Sequence, residues 1–272
     1  MTRTEDRIQR HYTVPGLTER ILEALAADGC DTERLTVDDL APVDGFHLRG
    51  RAATRELAEL ADLTSRHRVL DVGSGLGGTA RYLTSRYGCR VIGVDTTEAY
   101  CDAATDLSRR LGLASRTEFR WGDACDLPLG DATIDVVWTE HVQMNVDDKL
   151  RFYAEIRRVL KPGGRLLFHD IFQGPGGAAR FPVPWASQPA LSHLATPRAT
   201  WDLLDDLGFE VALWRDRTGA ARTWITAAAT GAQSATEIHL LMGATAPDKL
   251  RNLRRNLEED RIRAVEAIAG KP

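Results

Sequence analysis

The first sixty residues carry apolar side chains at helical spacing. Leu17, Ile21, Leu22 and Leu25 recur every three or four positions behind Pro15, which can open a helix, and Gly29 is a stop. Thr36-Val37-Asp38-Asp39 reads as a short capped turn and residues 44–50 as a loop. A helix follows over 51–63, with Ala52, Leu57, Leu60 and Ala61 on its inner side. From residue 68 the pattern changes to short apolar runs alternating with amphipathic stretches. It predicts strands at 68–73, 90–95, 117–121, 134–139 and 165–172, and helices at 78–87, 98–111 and 148–160. Such alternation implies an α/β fold, a doubly wound Rossmann-like sheet of about seven strands covered on both faces. Residues 173–199 break the rhythm with closely spaced Gly and Pro around Phe181, Trp185 and His193, which reads as a lid insertion. A helix at 200–207 and a strand at 209–214 follow. The stretch 219–260 is largely helical, a candidate surface for a homo-oligomer or for the chain's own core, and 262–268 is a last strand that closes the sheet. The expected organisation is an N-terminal helical cap (1–62), a cofactor-binding core (63–172), the lid (173–199) and the rest of the core (200–272).

The 272 residues are 43% hydrophobic and 27% charged, enough for a packed core. A net charge of -4 without a basic block argues against a nucleic-acid partner. The polar start MTRTEDRIQR leads into no apolar run, and no stretch reaches the length of a membrane span, so neither a signal peptide nor a membrane partner is expected. Cys30, Cys89, Cys101 and Cys125 form no CxxC pair and have no histidine cluster beside them. That pattern predicts no metal site and suits a reducing, cytoplasmic setting.

Chemistry enters at Val69-Leu70-Asp71-Val72-Gly73-Ser74-Gly75-Leu76-Gly77-Gly78, where a buried strand runs into a glycine turn that opens a helix. Glycines let the backbone turn tightly and a ligand approach closely, and the helix start offers free N–H groups. Asp95 ends the next strand about twenty residues on, where a carboxylate accepts from two ribose hydroxyls. These features suit a nicotinamide oxidoreductase as well, since Gly73, Gly75 and Gly78 satisfy GxGxxG. The downstream residues separate the two readings. Gly122-Asp123-Ala124 with Leu127-Pro128, Asp135-Val136-Val137-Trp138, and Arg158-Val159-Leu160-Lys161-Pro162-Gly163-Gly164 follow in order. With them, residues 66–172 resemble the class I methyltransferases that use S-adenosylmethionine (SAM), in particular small-molecule enzymes of the ubiquinone and menaquinone pathways and of the sarcosine–dimethylglycine type.

The resemblance implies that Asp71, Gly73, Ser74, Gly75 and Gly77 face the methionine part of SAM. It places Asp95 on the ribose, Thr96 along the adenine edge, Asp123 and Ala124 at the adenine, and Glu140 near the sulfonium. Lys161–Gly164 is implied to be a helix stop and turn. Methyl transfer needs alignment, exclusion of water and, for a protonated nucleophile, a base. His141, at the carboxyl end of the fourth strand and with an ordinary pKa near 6.5, is the first candidate base, and His193 in the lid the second. Gln143 and Asn145 are candidates to orient a polar substrate. Tyr12 and His47 are candidates for a cover, and Trp185 for an aromatic surface that holds a ring or a methylated amine. The expected activity is methylation of an N, O or C nucleophile of a small metabolite, with an aromatic biosynthetic intermediate or a sarcosine-type amine as acceptor. A nicotinamide oxidoreductase and a noncatalytic SAM-binding protein are the competing readings.

Overall fold

The computed structural model describes residues 16–229 and 243–272. Among the described residues three helices come first: α1 (Leu17–Ala27), α2 (Val37–Asp44) and α3 (Arg51–Glu59). The alternating part follows as β1 (Arg68–Val72), α4 (Gly78–Tyr87), β2 (Arg90–Asp95), α5 (Glu98–Arg110), β3 (Thr117–Trp121), β4 (Ile134–Glu140), α6 (Lys149–Val159) and β5 (Leu160–Gln173). After residues 174–196 come α7 (Pro197–Asp206), β6 (Glu210–Asp216), α8 (Thr218–Ala229), α9 (Ala246–Glu258) and β7 (Ile262–Gly270).

The seven strands form one sheet in the order β3-β2-β1-β4-β5-β7-β6. The pairings from β3 through β5 are parallel, and β7 runs antiparallel to both its neighbours. The last strand therefore does not close an edge. It inserts between β5 and β6, where Ala264, Ala267 and Ala269 are buried and small side chains let helices pack over a central strand. The stretch Lys161–Gly164, expected as a turn, is part of β5: Gly163 takes φ 75°, its N–H donates to Lys271 O, and Lys271 N–H donates to Gly164 O.

The expected capped turn at 36–39 opens a two-turn helix. The Thr36 hydroxyl accepts from Asp39 N–H while the Asp39 carboxylate accepts from Thr36 N–H, a capping box that carries α2 past Pro42. Helix α3 buries Leu57, and Ala61 follows it into the core, as expected, with Leu60 half-buried; Ala53, Thr54 and Ala58 are buried as well, while Ala52 is half-buried on a cavity wall. The buried Thr54 hydroxyl donates to the Glu140 carboxylate at the end of β4.

Residues 174–196 pack as a wall. Val183, Trp185, Ala186 and Leu191 are buried with Leu253 and Leu257 of α9 and Ile262 and Ala264 of β7. Asn252 and Asn256 on α9 donate to Pro182 O and Arg180 O, so backbone that forms no regular element is still satisfied. This packing spends the apolar face of α9 on the chain's own core.

Candidate functional site

The carboxyl ends of β1, β2 and β4 open into a cavity of about 500 Å³. Asp71, Gly73, Ser74, Gly75, Asp95, Thr96, Asp123, Ala124, Glu140 and His141 all line it. Gly73 turns at φ 70°, and a Cβ there would stand 2.3 Å from Val142 Cγ2, so the loop closes this tightly only with glycine. Gly75, at φ 51°, donates its N–H to Asp95 Oδ2 at 2.8 Å, and Thr97 N–H donates to Asp95 Oδ1 at 2.8 Å. The two turns thus hold each other at the cavity floor. Gly77 does not line the cavity. A Cβ there would meet the Phe119 ring at 2.6 Å, so its smallness serves packing of α4 against β3.

The cavity is rich in buried carboxylate. Asp71 Oδ2 and Ser74 Oγ are buried without hydrogen-bond partners. Burial, then the nearby Glu140 and Asp95, holds the Asp71 carboxyl well above its usual range, and burial raises Asp95. Such a site fits a ligand that brings positive charge and hydrogen-bond donors. Asp123 spends one oxygen on Cys125 N–H. Burial, then Asp123 and Asp148, pushes the Cys125 thiol up to about 12, which leaves it protonated and unreactive.

A second cavity of about 510 Å³ adjoins the first, sharing Val43, Phe46, His47 and His141. Its walls are mostly apolar: Leu48, Ile171, Pro184, Trp185, Trp224, Leu250 and Leu253. Asp38, Arg49 and Arg51 supply its polar part; Arg49 pairs with Glu56 and Arg51 lies 3.6 Å from Asp44, while Arg49 Nη1 and Arg51 Nη1 are buried without a hydrogen-bond partner.

His141 stands between the cavities in a left-handed conformation at φ 56°, rare for a side chain other than glycine. The surroundings impose it. His141 N–H donates to His169 O, and Asp170 Oδ2 accepts from Val142 and Gln143 N–H at 3.1 Å each. Burial pushes the Asp170 carboxyl up to about 7 despite these bonds. Burial, then His169 and His47, holds the His141 imidazole well below its ordinary value, so it is a neutral ring with Nε2 free of partners.

Glu140 is almost fully covered. It accepts from Thr54 Oγ1 at 3.1 Å and Thr79 Oγ1 at 2.7 Å, and His47 Nε2 lies 3.6 Å away. His47 lines both cavities, on the loop before α3. His169, on β5, completes the group, and the donor atoms of His47, Glu140 and His169 all lie within 4.8 Å of one another. An expectation of no metal ligands that rested on cysteines could not see this set, which comes from three separate elements. Thr54, Thr79, His169 and Asp170 escaped the sequence reading. The one available signal was the pair His169-Asp170 inside the apolar run 166–172 of a central strand.

Several expected site residues lie elsewhere. His193 lines neither cavity; its Nδ1 sits 3.3 Å from Asp147 Oδ1. Gln143 is buried below the cavities, with Nε2 donating to Ile171 O. Asn145 reaches the first cavity, but its amide donates to Trp185 O and Leu191 O and so ties down the wall segment. Trp185 is buried on the wall of the second cavity, and its ring N–H donates to Ser192 Oγ. Trp138 on β4 is wholly in the core. Tyr12 lies outside the described residues.

Comparison with known proteins adds to this geometry. Residues 70–168 match the model of a methyltransferase domain. The chain is 35% identical over 133 residues to methyltransferase GfsG of Streptomyces halstedii, covering 49% of this chain and 48% of that protein. It is 31% identical over 150 residues to the sarcosine/dimethylglycine N-methyltransferase of Halorhodospira halochloris, covering 55% and 54%. It thus spans about half the length of these curated relatives. Among solved structures, geranyl diphosphate C-methyltransferase from Streptomyces coelicolor A3(2), in complex with Mg2+, geranyl-S-thiolodiphosphate and S-adenosyl-L-homocysteine, superposes with a TM-score of 0.75. The match covers 100% of this chain and 99% of that one at 20% identity, a likeness of fold.

Proposed function

Because residues 70–168 are those of a class I SAM-dependent methyltransferase domain, we propose that the whole chain transfers a methyl group to a nucleophile of a small metabolite held in the second cavity. The observation that carries this reading is the charge of the first cavity. A dinucleotide would bring its pyrophosphate to the glycine turn, where Asp71 and Glu140 stand as buried carboxylates. SAM brings a sulfonium and an ammonium instead, and these complement the same groups. The unpartnered Asp71 Oδ2 and Ser74 Oγ, the glycine turn and Asp95 therefore fit SAM and not a nicotinamide cofactor.

When bound, SAM supplies an electrophilic methyl group on sulfur. Asp95 holds ribose hydroxyls, Asp123 and the Ala124 backbone take the adenine edge, and Asp71 and Glu140 face the cationic end. His141, neutral and opening on both cavities, accepts the acceptor's proton as the new bond forms. The packed wall of Trp185, Ile171 and Leu253 keeps water from the acceptor. That lining favours an apolar or aromatic body, with an oxygen-bearing end toward Arg49 and Arg51, over a small zwitterion such as sarcosine. The same reading has the protein work in the cytoplasm, without nucleic acid; no helix among the described residues is long and apolar enough to cross a membrane.

Thermal-shift titration with S-adenosylhomocysteine, SAM and NADH tests the reading. A ligand at 100 times its Kd adds about 2.7 kcal/mol. At about 2.1 cal/mol/K per residue, a chain of 272 residues should then gain about 5 °C in Tm. The adenosyl ligands should give this shift, Asp95→Ala should remove it, and NADH should give none. A shift with NADH alone would sink the proposal.

A further inference from the structure

We propose that His47, Glu140 and His169 bind one divalent first-row transition ion of the zinc or iron(II) kind, at the wall between the two cavities. Three observations carry it. The donor atoms of the three side chains already lie within 4.8 Å of one another. His169 has no exposed surface, and neither of its ring nitrogens has a hydrogen-bond partner, an arrangement that costs free energy unless something takes the lone pair. The other two groups are oriented as metal ligands are. Thr54 and Thr79 hold the Glu140 carboxylate, and His47 Nε2 lies 3.3 Å from Thr54 Oγ1 and 3.6 Å from Glu140, with Nδ1 3.5 Å from its neighbour's carbonyl, Leu48 O.

The donor set selects the ion. Two imidazoles and one carboxylate suit zinc, iron or manganese, whereas Mg2+ prefers oxygen donors and water. Ligands in a tetrahedral arrangement about one zinc ion, each about 2.1 Å from it, stand about 3.4 Å apart, so the widest pair must close by up to about 1.4 Å. His47, on a loop at the cavity wall, has room to supply that movement. Three protein ligands leave a position open. Both cavities reach His47, so the open position can take an oxygen of the acceptor and lower the pKa of its hydroxyl beside His141. This last step rests on the methyltransferase reading; the metal site itself does not.

The test uses the full chain without a histidine tag, stripped with a chelator and titrated with Zn2+ and Co2+ by calorimetry and by competition with a chromogenic chelator. One equivalent should bind, and His47→Ala and Glu140→Gln should each weaken it at least tenfold, while His67→Ala, a histidine outside the cluster, changes nothing. Binding that survives both cluster substitutions, or no binding above that of the His47→Ala protein, overturns the site. Should the variants fail to fold, X-ray absorption of the Zn2+-loaded wild-type chain decides: two imidazole ligands support the assignment and fewer than two overturn it. S-adenosylhomocysteine binding is measured in parallel. Its presence without a metal overturns this inference alone, and its absence with a metal overturns only the methyltransferase reading.

Discussion

The buried pair Asp44–Arg81 joins the N-terminal helices to the core, and its removal makes a quantitative prediction. Arg81 on α4 has no exposed surface. Its Nη2 donates to Asp44 Oδ1 at 2.5 Å and to Leu76 O at 2.6 Å, and its Nη1 to Ala104 O and Ser108 Oγ at 3.3 Å. Burial raises the Asp44 carboxyl and lowers the Arg81 guanidinium, so for each group desolvation outweighs the attraction. Removing one partner of such a pair costs about 3–5 kcal/mol, because the other charge stays buried. Three of the Arg81 hydrogen bonds survive Asp44→Ala, which places the loss at the lower end, about 3 kcal/mol. With about 2.1 cal/mol/K of unfolding entropy per residue, Tm should fall by about 5 °C. In Asp44→Ala/Arg81→Met the Arg81 charge is not stranded, and Arg51, 3.6 Å from Asp44 Oδ2, loses that partner in the single and the double variant alike, so the double variant should be more stable than the sum of the singles predicts, by at least about 1.5 kcal/mol. Urea unfolding followed by tryptophan fluorescence and circular dichroism reads all four proteins. A loss below about 1 kcal/mol for Asp44→Ala, or additivity within about 0.5 kcal/mol, would refute the reasoning.

Three further outcomes follow from the site. Gly93→Ala places a Cβ 2.6 Å from both Ser74 Oγ and Phe119 Cδ1, so it should cost about 2 kcal/mol and weaken S-adenosylhomocysteine binding; unchanged values in melting and calorimetry would contradict the tight contact. His141 and His169 are buried neutral with pKa values well below 6.5, so the unfolded chain takes up protons first as pH falls through 6.5. Below that the two rings should remove up to about 2.7 kcal/mol per pH unit, while Asp170, its carboxyl pushed up to about 7, and Asp71 take up protons in the folded chain first and offset part of the loss; a Tm–pH profile that is the same in His141→Gln as in the wild type speaks against the reasoning. Cys125 faces the first cavity, yet with its thiol pushed to about 12 it should resist iodoacetamide at neutral pH, as peptide mass spectrometry would show; labelling as fast as in the denatured chain would disprove this.

The local order of elements and the glycine turn were legible in the sequence because both are short-range properties. The alternation of apolar runs and amphipathic stretches encodes strand and helix within a few residues, and Gly73, Gly75 and Asp95 sit at fixed distances along a single βαβ unit. Strand order is another matter. The segment 262–268 looks like any apolar strand, and only the two partners that it finds, β5 and β6, decide that it enters the sheet rather than ending it. The same holds for the chemistry at the heart of the site. His47, Glu140 and His169 come from a loop, the end of β4 and the middle of β5, and no spacing rule links them. Their burial, and with it the neutral state of His169 and His141, comes from packing that a linear pattern does not contain. His193 shows the converse, since lying in a Pro-rich insertion suggested a place over the site, while the hydrogen bonds of its backbone to Met144 O and from Lys149 Nζ leave it outside both linings, in contact with Asp147 of the first. Short-range patterning thus determined which elements form and which turn receives the cofactor. Long-range packing decided which side chains lose their water, and therefore which of them carry charge, accept a proton or lie ready for an ion.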